Sequence, residues 1–548
     1  MAQLALDTLA QVEAALDNHQ SFLVEAGAGS GKTTALVHGL RHLLATRQAE
    51  LAQTRRRIAC ITYTNVAKRQ ISERIADDPL VYVGTIHEFL WHAIQGFQHQ
   101  LRIELLAHNQ TLRKPTPDLD ESLTPGTKIT YGDRGRRFNK GELGHDDVLA
   151  LAYRMVSTYP KLARIIADRF PVIFVDEYQD TQPATIGILL DHLAGIRGTA
   201  CVIGLFGDSM QKIYATGVGR VQDPRLTHIT KHENYRCSQA VINVLNRMRP
   251  ELQQHFAGTP RDGEAYLFLN QALPKGAERL AAARSTLQAK GWTEQDTKYL
   301  QLTHRGIAGT LDYASLLDVY TSRGSFGRDD LMDASEPYAQ YARDIEEISR
   351  AHEGHDFGEL SRLLGVAGAQ VTRHTQKAAI AATLRELDRL RTVGSIGDVV
   401  DFVAAKRLLR KPAKIRAVER DHDRDGLDEA DQKRVDFSRQ VRAVAYQEMV
   451  SLCRFRDQRT PFSTQHGVKG DEFPHVVVLV EDGAWTQFDI GKMIAGTDKP
   501  ERTERSRNLF YVCCSRPVNS LAVVFLSDPP PKAVEIAQEW FADAVVIP

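Results

Sequence analysis

The chain has 548 residues, and its 69 Lys and Arg balance 69 Asp and Glu, so the formal net charge is zero. Hydrophobic residues make up 43% and charged residues 25%, which is typical of a folded globular protein and excludes a disordered one. Neither a long apolar run nor a basic secretion signal occurs, which argues against a membrane or secreted protein. The cysteines follow no disulfide or metal-ligand spacing and favour a reducing, cytoplasmic compartment. Because the charges balance, any attraction to nucleic acid must come from local basic patches.

Short apolar runs rich in β-branched residues recur along the chain in two groups, and helical patterns lie between them. Buried strands that alternate with helices indicate parallel sheets with helices on both faces. We therefore predict an α/β fold with two such sheets. The predicted strands lie at 21–25, 57–62, 172–175 and 200–207 in the first group, and at 265–269, 299–303, 476–480 and 521–525 in the second.

Two intervals without such runs interrupt the α/β pattern, and we interpret both as inserted subdomains. The first has the pattern of a helix pair with a small hairpin, and the second is polar and helical throughout. A charge-dense run near the end of the second, residues 406–434, is interpreted as a solvated helical face. The predicted boundaries are 1–90 and 145–227 for the first α/β domain, 91–144 for the first insertion, 228–308 and 446–548 for the second α/β domain, and 309–445 for the second insertion.

A glycine-rich segment, AGAGSGKTT at 26–34, follows the first strand and opens a helix, which is the context that a phosphate-binding loop requires. Glycines allow backbone N–H groups to point inward at an anion. Lys32 is expected to reach the terminal phosphates, and the Thr33 hydroxyl is expected to hold Mg²⁺. The predicted ATP contacts are Ala26, Gly27, Ala28, Gly29, Ser30, Gly31, Lys32, Thr33 and Thr34.

A second acidic motif completes the predicted nucleotide site. The apolar strand VIFV ends in Asp176 and Glu177. A carboxylate at the carboxyl end of a strand suits a metal ligand, so Asp176 is expected to hold Mg²⁺ together with Thr33. The adjacent Glu177 is expected to polarise the attacking water, which favours hydrolysis of ATP over transfer of its phosphate.

Together these motifs resemble those of the superfamily 1 DNA helicases of the UvrD, Rep and PcrA kind, along both predicted α/β domains. Further segments are similar to the family's motifs in the same order: LAQVEAAL, ITYTNVAKRQISERI, GTIHEF, GDSMQKIY, ENYRCS, STQHGVKGDEF and RNLFYVCCSRP. The resemblance implies two RecA-like parallel-sheet domains with two mainly helical inserted subdomains. It also implies ATP-driven, 3′–5′ movement on single-stranded DNA, or on DNA with a single-stranded tail.

The resemblance assigns roles to individual residues as well. For ATP it implies that Gln11 reads the adenine, Glu472 binds the ribose and Gln211 senses the γ-phosphate. Arg236 and Arg516 would stabilise charge on the transferring phosphoryl group. The residues that it implies for DNA are Thr64, Asn65, His87, Thr464 and His466, with Tyr63 in place of a phenylalanine that stacks on a base.

The chain departs from the family where GDSMQKIY ends. The family continues into a segment with a tryptophan that stacks on a base, whereas here Ala215-Thr216-Gly217-Val218-Gly219 follows. In its compact length the chain resembles the GajB-like branch of antiphage ATPases, which act with a nuclease subunit of the OLD family (GajA-like). The alternative to a helicase is therefore a DNA-sensing regulatory ATPase of such a complex. A binding module with a degenerate ATP site is disfavoured because Lys32, Asp176, Glu177 and Arg516 are present.

Overall fold

The fold is described from a computed structural model, which covers residues 2–124, 126–132, 135–194, 201–214, 216–366, 374–483 and 486–548. The strands are β1 Phe22–Ala26, β2 Ile58–Thr62, β3 Val81–Thr85, β4 Thr130–Tyr131, β5 Glu142–Leu143, β6 Val172–Asp176, β7 Val202–Gly207, β8 Thr227–Lys231, β9 Glu233–Asn234, β10 His255–Phe256, β11 Ala265–Phe268, β12 Thr297–Gln301, β13 Phe462–Thr464, β14 Phe473–Val480, β15 Pro517–Phe525 and β16 Val545–Ile547.

The α-helices account for most of the remaining chain. They are α1 Ala2–Asp17, α2 Lys32–Thr54, α3 Asn65–Arg74, α4 Ile86–Ile94, α5 Gln98–Thr111, α6 Leu119–Ser122, α7 His145–Thr158, α8 Pro160–Arg169, α9 Pro183–Gly187, α10 Gln239–Met248, α11 Ala277–Ala289, α12 His304–Thr310, α13 Ala314–Thr321, α14 Ser325–Met332, α15 Pro337–Glu353, α16 Phe357–Val366, α17 His374–Val393, α18 Ile396–Ala405, α19 Ala413–Arg420, α20 Glu429–Ala443, α21 Tyr446–Arg456, α22 Ile490–Ala495, α23 Pro500–Cys514 and α24 Pro531–Trp540.

The chain forms two compact units. The first comprises Met1–Leu273, Val468–Val478 and Thr486–Pro548, and the second comprises Pro274–Gly467 and Leu479–Trp485. Within the described part of the chain, no helix combines the length and apolar character that crossing a membrane would need. All six cysteines are buried, and none of them forms a disulfide bond.

The first sheet has six parallel strands in the order β3-β2-β6-β7-β1-β8. Its side chains alternate between two apolar layers because successive residues of a strand point to opposite faces. Phe22 and Phe174 pack with residues of α1 and α2, whereas Leu23 and Ile173 pack with residues of α4, α7 and α8. Both faces of the sheet are therefore covered, and ligand access is left to its edges.

The second sheet also has six strands, in the order β13-β12-β14-β15-β11-β16. The pairs β11–β15, β11–β16 and β12–β13 are parallel. The prediction of an α/β fold with two parallel sheets is thus confirmed. The strand predicted at 200–207 begins at Val202, and Ala200 lies outside the described residues.

The first inserted interval differs from the prediction in one detail. It contains the helices α5 and α6 as expected, but its two short strands do not pair with each other as a hairpin. The strands β4 and β5 pair in parallel. The chain reverses later, through an antiparallel bridge between Arg137 and Glu142 with Gly141 at φ 71°. Arg137 and Glu142 exchange backbone hydrogen bonds over 3.0 and 3.1 Å across this turn, so the small predicted hairpin is found here.

Candidate nucleotide and nucleic-acid site

The predicted phosphate loop lies between β1 and α2, at the carboxyl edge of the first sheet. Gly29 and Gly31 have φ of 73° and 78°, a backbone region in which a side chain is strained. Lys32 is the first residue of α2, whose open N-terminal N–H groups favour an anion. The Ser30 hydroxyl is buried and has no hydrogen-bond partner among the described residues. The loop therefore fits the phosphate groups of a nucleotide.

Two amide side chains hold the loop from the segment that follows β8. Asn234 Nδ2 and Gln254 Nε2 donate to the Ala28 carbonyl over 3.0 and 3.1 Å. A Cβ at Gly27 would lie 2.6 Å from Gln254 Nε2, and one at Gly29 would lie 2.6 Å from Asn234 Oδ1. Larger residues at either position would push these amides away, so close approach also requires the glycines.

Lys32 lies against the predicted catalytic carboxylates. Its Nζ donates to Glu177 Oε2 over 3.1 Å. Burial lowers the pKa of Lys32, but the charges of Glu177, Asp208 and Asp176 outweigh it and raise that pKa. Burial, together with the charge of Glu177, raises the pKa of Asp176 to about 7. The pKa of Glu177 falls to about 2, since Lys32 and Lys469 oppose the effect of burial.

The other predicted ATP contacts lie on the helices α1 and α2 of the first unit. Thr33 is half-buried at the start of α2, and Thr34 is exposed and accepts a hydrogen bond from Arg74. Gln11 is exposed on α1. A hydroxyl and a carboxylate are oxygen ligands of the kind that Mg²⁺ prefers, so Thr33 and Asp176 fit a magnesium site.

Gln211 is buried just after β7, and its position depends on Asp208. Gln211 Nε2 donates to Asp208 Oδ2 over 2.8 Å. The carboxyl ends of β6, β7 and β1 are neighbours in the sheet, so Gln211 shares one edge with Asp176 and the phosphate loop. The structure thus gathers the residues predicted for the phosphate end of the nucleotide.

The two predicted arginines also meet at this edge. Arg236 donates to Glu472 Oε2 over 2.9 Å and to the Ser515 carbonyl over 3.4 Å. Arg516 is buried and donates to the Val512 carbonyl and to Ser515 Oγ, each over 2.9 Å. Burial and the charge of Arg236 lower the pKa of Arg516 to about 10, so it stays protonated at neutral pH.

The Cβ of Arg236 lies close to the phosphate loop. A Cβ placed on Gly29 would be 2.7 Å from it. Glu472, predicted to bind ribose, holds the Arg236 guanidinium in this structure. Arg236 therefore lies beside the loop, and Arg516 is close enough to Arg236 and Glu177 for their charges to act on it.

The residues predicted for DNA fall into two places. Tyr63 is exposed and stacks on Tyr214, with ring centroids 5.8 Å apart and planes at 25°. Thr64 caps α3 by accepting from Ala67 N over 3.2 Å, and Asn65 beside it is exposed. Tyr63, Thr64 and Asn65 directly follow β2, so they lie in the first unit.

His87 belongs to the same unit. It packs on His145 with ring centroids 5.0 Å apart, and burial together with His145 lowers its pKa. Thr464 and His466 belong to the second unit. Thr464 Oγ1 accepts from Gly467 N over 3.0 Å, and burial together with the charge of His304 lowers the pKa of His466.

The sequence interpretation gave no role to Lys469, although it lies within the motif STQHGVKGDEF. Its Nζ donates to the carboxylate of Asp180 and, over 2.6 Å, to the Gln211 carbonyl. The same ammonium lies 5.6 Å from the centroid of the Tyr214 ring. Lys469 thus connects the acidic motif, the glutamine motif and the tyrosine pair.

Tyr235 is a second missed residue. It is exposed, and its Cδ2 lies 3.6 Å from the position of a Cβ on Gly31. An exposed aromatic beside a nucleotide loop offers a face on which a base can stack. The motif ENYRCS contained the signal, but only its arginine was interpreted.

A buried ion network beneath the loop was also missed. Arg249 Nη1 donates to Asp208 Oδ1 over 2.6 Å, and Nη2 donates to Glu25 Oε1 over 2.7 Å. Glu25 also accepts from Tyr178 OH over 2.7 Å and from Ser209 Oγ over 2.7 Å. The sequence feature that could have predicted this network is Glu25, because a charged residue inside an apolar strand requires a buried partner of opposite charge.

Replacing Arg249 with methionine is expected to destabilise the chain by about 3–5 kcal/mol, because two carboxylates would lose their buried cation. A urea titration measures the free energy of unfolding. Arg247→Ala is the matched control, since Arg247, near the end of the helix α10 that directly precedes Arg249, pairs with the exposed Asp543. Loss of that exposed pair is expected to cost less than about 1 kcal/mol. Equal losses in the two variants would contradict a structural role for the network.

Comparison with known proteins agrees with this arrangement. The AAA domain family matches residues 10–217. The Gabija protein GajB of Bacillus cereus is 26% identical, over 56% of this chain and 57% of that protein. The ATP-dependent DNA helicase UvrD1 of Mycobacterium leprae is 25% identical over 43% of this chain, and PcrA of Staphylococcus aureus is 24% identical over 43%.

The chain covers 57% of the length of GajB and 38–39% of the two helicases. The AAA match includes the phosphate loop, the acidic motif and Gln211. With two parallel sheets and this ordered set of motifs, the chain is similar to the UvrD-like superfamily 1 helicases, including the GajB branch.

Proposed function

We propose that the chain is an ATP-dependent translocase or helicase on single-stranded DNA, and that it hydrolyses ATP at the carboxyl edge of the first sheet. The observation that carries the proposal is that Arg236 lies against the loop that holds Lys32, with Arg516 near both Arg236 and Glu177. Lys32 and the loop N–H groups would bind the phosphates, with the adenine near Gln11 and Tyr235. The proposed domain boundaries remain those predicted from the sequence.

Hydrolysis needs a base, a metal site and positive charge at the transferring group. Thr33 and Asp176 would hold Mg²⁺, which when bound neutralises phosphate charge and orients the phosphates. Glu177 would accept the proton of the attacking water. Because Lys32 lowers the pKa of Glu177, movement of the ammonium onto phosphate would raise that pKa and make Glu177 a stronger base.

The remaining proposed roles follow from the contacts of each side chain. Gln211, which Asp208 holds in place, would sense the γ-phosphate. Glu472 would release Arg236 and bind the ribose instead. Arg236, released from Glu472, and Arg516 would then stabilise the charge that develops on the phosphoryl group. Each turnover would thus change which partners the two arginines have.

For DNA, the exposed tyrosine pair is the strongest support. Two stacked aromatic rings offer a sequence-independent platform for bases. The pair stands where the family's tryptophan segment is replaced by small residues, and Lys469 links it to Gln211. The further proposed DNA contacts are Thr64, Asn65, His87, Thr464 and His466. The proposed substrate is single-stranded or tailed DNA, with 3′–5′ polarity and a cytoplasmic setting.

A second candidate is a DNA-sensing regulatory ATPase of an antiphage complex with a nuclease subunit. The match to GajB over more than half of both chains favours it. So does the absence of a tryptophan from the segment 215–219 that directly follows Tyr214. In this function hydrolysis at the same ATP site would control the activity of the nuclease subunit, and the chain would separate few base pairs.

Steady-state ATP hydrolysis with no nucleic acid, single-stranded DNA or duplex DNA tests the proposal. We expect stimulation by single strands, together with strand separation on a duplex with a 3′ tail. Stimulation without strand separation would favour the regulatory ATPase. Hydrolysis that ignores all nucleic acids, or no hydrolysis, would contradict both candidates.

Replacing Tyr63 and Tyr214 together with alanine is expected to weaken binding of single-stranded DNA by about 1–3 kcal/mol per lost stack. Fluorescence anisotropy with a labelled oligonucleotide measures the affinity. The control is Tyr153→Ala, which removes another exposed tyrosine of the first unit. Unchanged affinity in the double variant would rule out the pair as a base platform.

A further inference from the structure

We propose a second anion site in the second unit, which binds closely spaced phosphate groups and is separate from the phosphate loop. We call it the arginine pocket and define it by Arg407, Arg410, Arg416 and Arg420. These side chains line a concavity of about 850 Å³ between the end of α18 and α19. The same residues fall in the charge-dense run that the sequence favoured as a solvated face.

The first argument is that these charges lack partners. Among the residues that the structure describes, no carboxylate lies within salt-bridge distance of any of the four arginines, all of which are exposed. The acid inside the pocket, Glu419, is already engaged by Lys411 at 2.8 Å and by Arg442. The pocket therefore keeps an excess of positive charge.

The second argument is contrast with the rest of the unit. Arg391 contacts Glu346 at 2.6 Å, and Arg350 contacts Asp457 at 2.8 Å. Arginines in this unit commonly pair with acids, whereas the four arginines of the pocket converge without an acidic partner of their own among the described residues. Like charges in a concave surface repel one another and attract an anion strongly, because the low-dielectric walls focus the field.

The third argument is the start of α19. Pro412 precedes this eight-residue helix, and no side chain caps its N-terminal N–H groups. Ala413, the first residue of the helix, lines the pocket. Open N–H groups and the helix dipole add attraction for anions to that of the guanidinium groups.

Geometry selects the ligand class. Guanidinium groups match phosphate oxygens in bidentate pairs, and four of them on one short segment suit several phosphates held close together. The volume falls within the range of small-ligand sites. Clustered phosphates occur in a free polyphosphate, such as a nucleotide tail, and in a nucleic-acid backbone, and one experiment can separate these sources.

Isothermal titration calorimetry with inorganic tripolyphosphate tests the site. Every chain carries Lys32→Ala, which weakens the phosphate loop, so the result does not depend on the proposed ATPase. The pocket variant is Arg410→Gln with Arg416→Gln. The charge-matched control is Arg434→Gln with Arg439→Gln, whose arginines pair with Asp431 and Asp436.

We expect the pocket variant to lose at least about tenfold in affinity and the control to keep it. A parallel titration with a single-stranded oligonucleotide lacking terminal phosphates identifies the source. If the pocket variant loses affinity for tripolyphosphate alone, the ligand is a free polyphosphate. If it loses affinity for the oligonucleotide alone, the ligand is a nucleic-acid backbone, and if it loses affinity for both, the pocket accepts both ligands.

Arg410→Lys with Arg416→Lys guards against misfolding, since it keeps the charge and removes the bidentate geometry. Its affinity is expected to lie between those of the control and the glutamine variant. No binding of either ligand to the Lys32→Ala chain would overturn the proposal. So would equal affinities in the glutamine, lysine and control variants.

Discussion

Glu177→Gln is expected to lower the rate of ATP hydrolysis by about 10²–10⁴-fold, because an amide of the same shape cannot accept the proton of the attacking water. Nucleotide binding is expected to persist, since Lys32 and the loop remain and the amide oxygen can still accept from Lys32. Single-turnover hydrolysis measures the rate, and titration with a fluorescent nucleotide measures the affinity.

The control for this variant is Glu13→Gln. Glu13 lies on α1 in the same unit and contacts His38 at 2.7 Å, away from the loop. The substitution Glu13→Gln removes one carboxylate charge without changing Glu177, the residue expected to polarise the attacking water. Retained hydrolysis in Glu177→Gln would show that the base is another group, and loss of nucleotide affinity would show that Glu177 shapes the binding site.

Removing either arginine beside the loop is expected to have an effect of similar or larger size. Arg236→Ala and Arg516→Ala are each expected to slow hydrolysis by about 10³–10⁵-fold, the range seen when an arginine stabilises a transferring phosphoryl group. If both act on the same developing charge, the double variant is expected to be little slower than either single variant. Rapid-quench measurement of a single turnover tests all three.

Folding needs a separate check for these variants, because Arg516 is buried and donates to main-chain carbonyls. Thermal unfolding of each variant, compared with Arg247→Ala, separates loss of structure from loss of rate. Arg516→Lys keeps a cation in place but not the fork of donors, so we expect only partial recovery. Full activity in Arg236→Ala would remove that residue from the proposed mechanism.

The sequence predicted the centre of each sheet and missed its edges. The eight predicted strands correspond to β1, β2, β6 and β7 in the first sheet and to β11, β12, β14 and β15 in the second. The missed strands β3, β8, β13 and β16 are the outermost strands of the two sheets. A central strand is covered on both faces and flanked on both sides, so it must be continuously apolar.

An edge strand has no such requirement. In β8, Thr227, His228 and Thr230 are exposed, and β13 has only three residues. Such segments carry no apolar run that distinguishes them from a loop. Contacts between residues distant in sequence could not be predicted from local patterns either. Gln254 contacts the loop, and Arg249 contacts Glu25, only after the chain has folded. The predicted site residues and domain boundaries stay predictions until variants are measured.

The six buried cysteines, none of which forms a disulfide bond, have a practical consequence for following movement in this protein. A maleimide dye reacts with accessible thiols, and burial raises the pKa of thiols such as Cys201, to about 12, which further slows reaction. A cysteine introduced at an exposed position, for example in place of Gln48 and again in place of Lys414, would therefore be labelled selectively while all native cysteines are kept. Energy transfer between two such dyes would report distance changes during turnover in an otherwise unaltered chain.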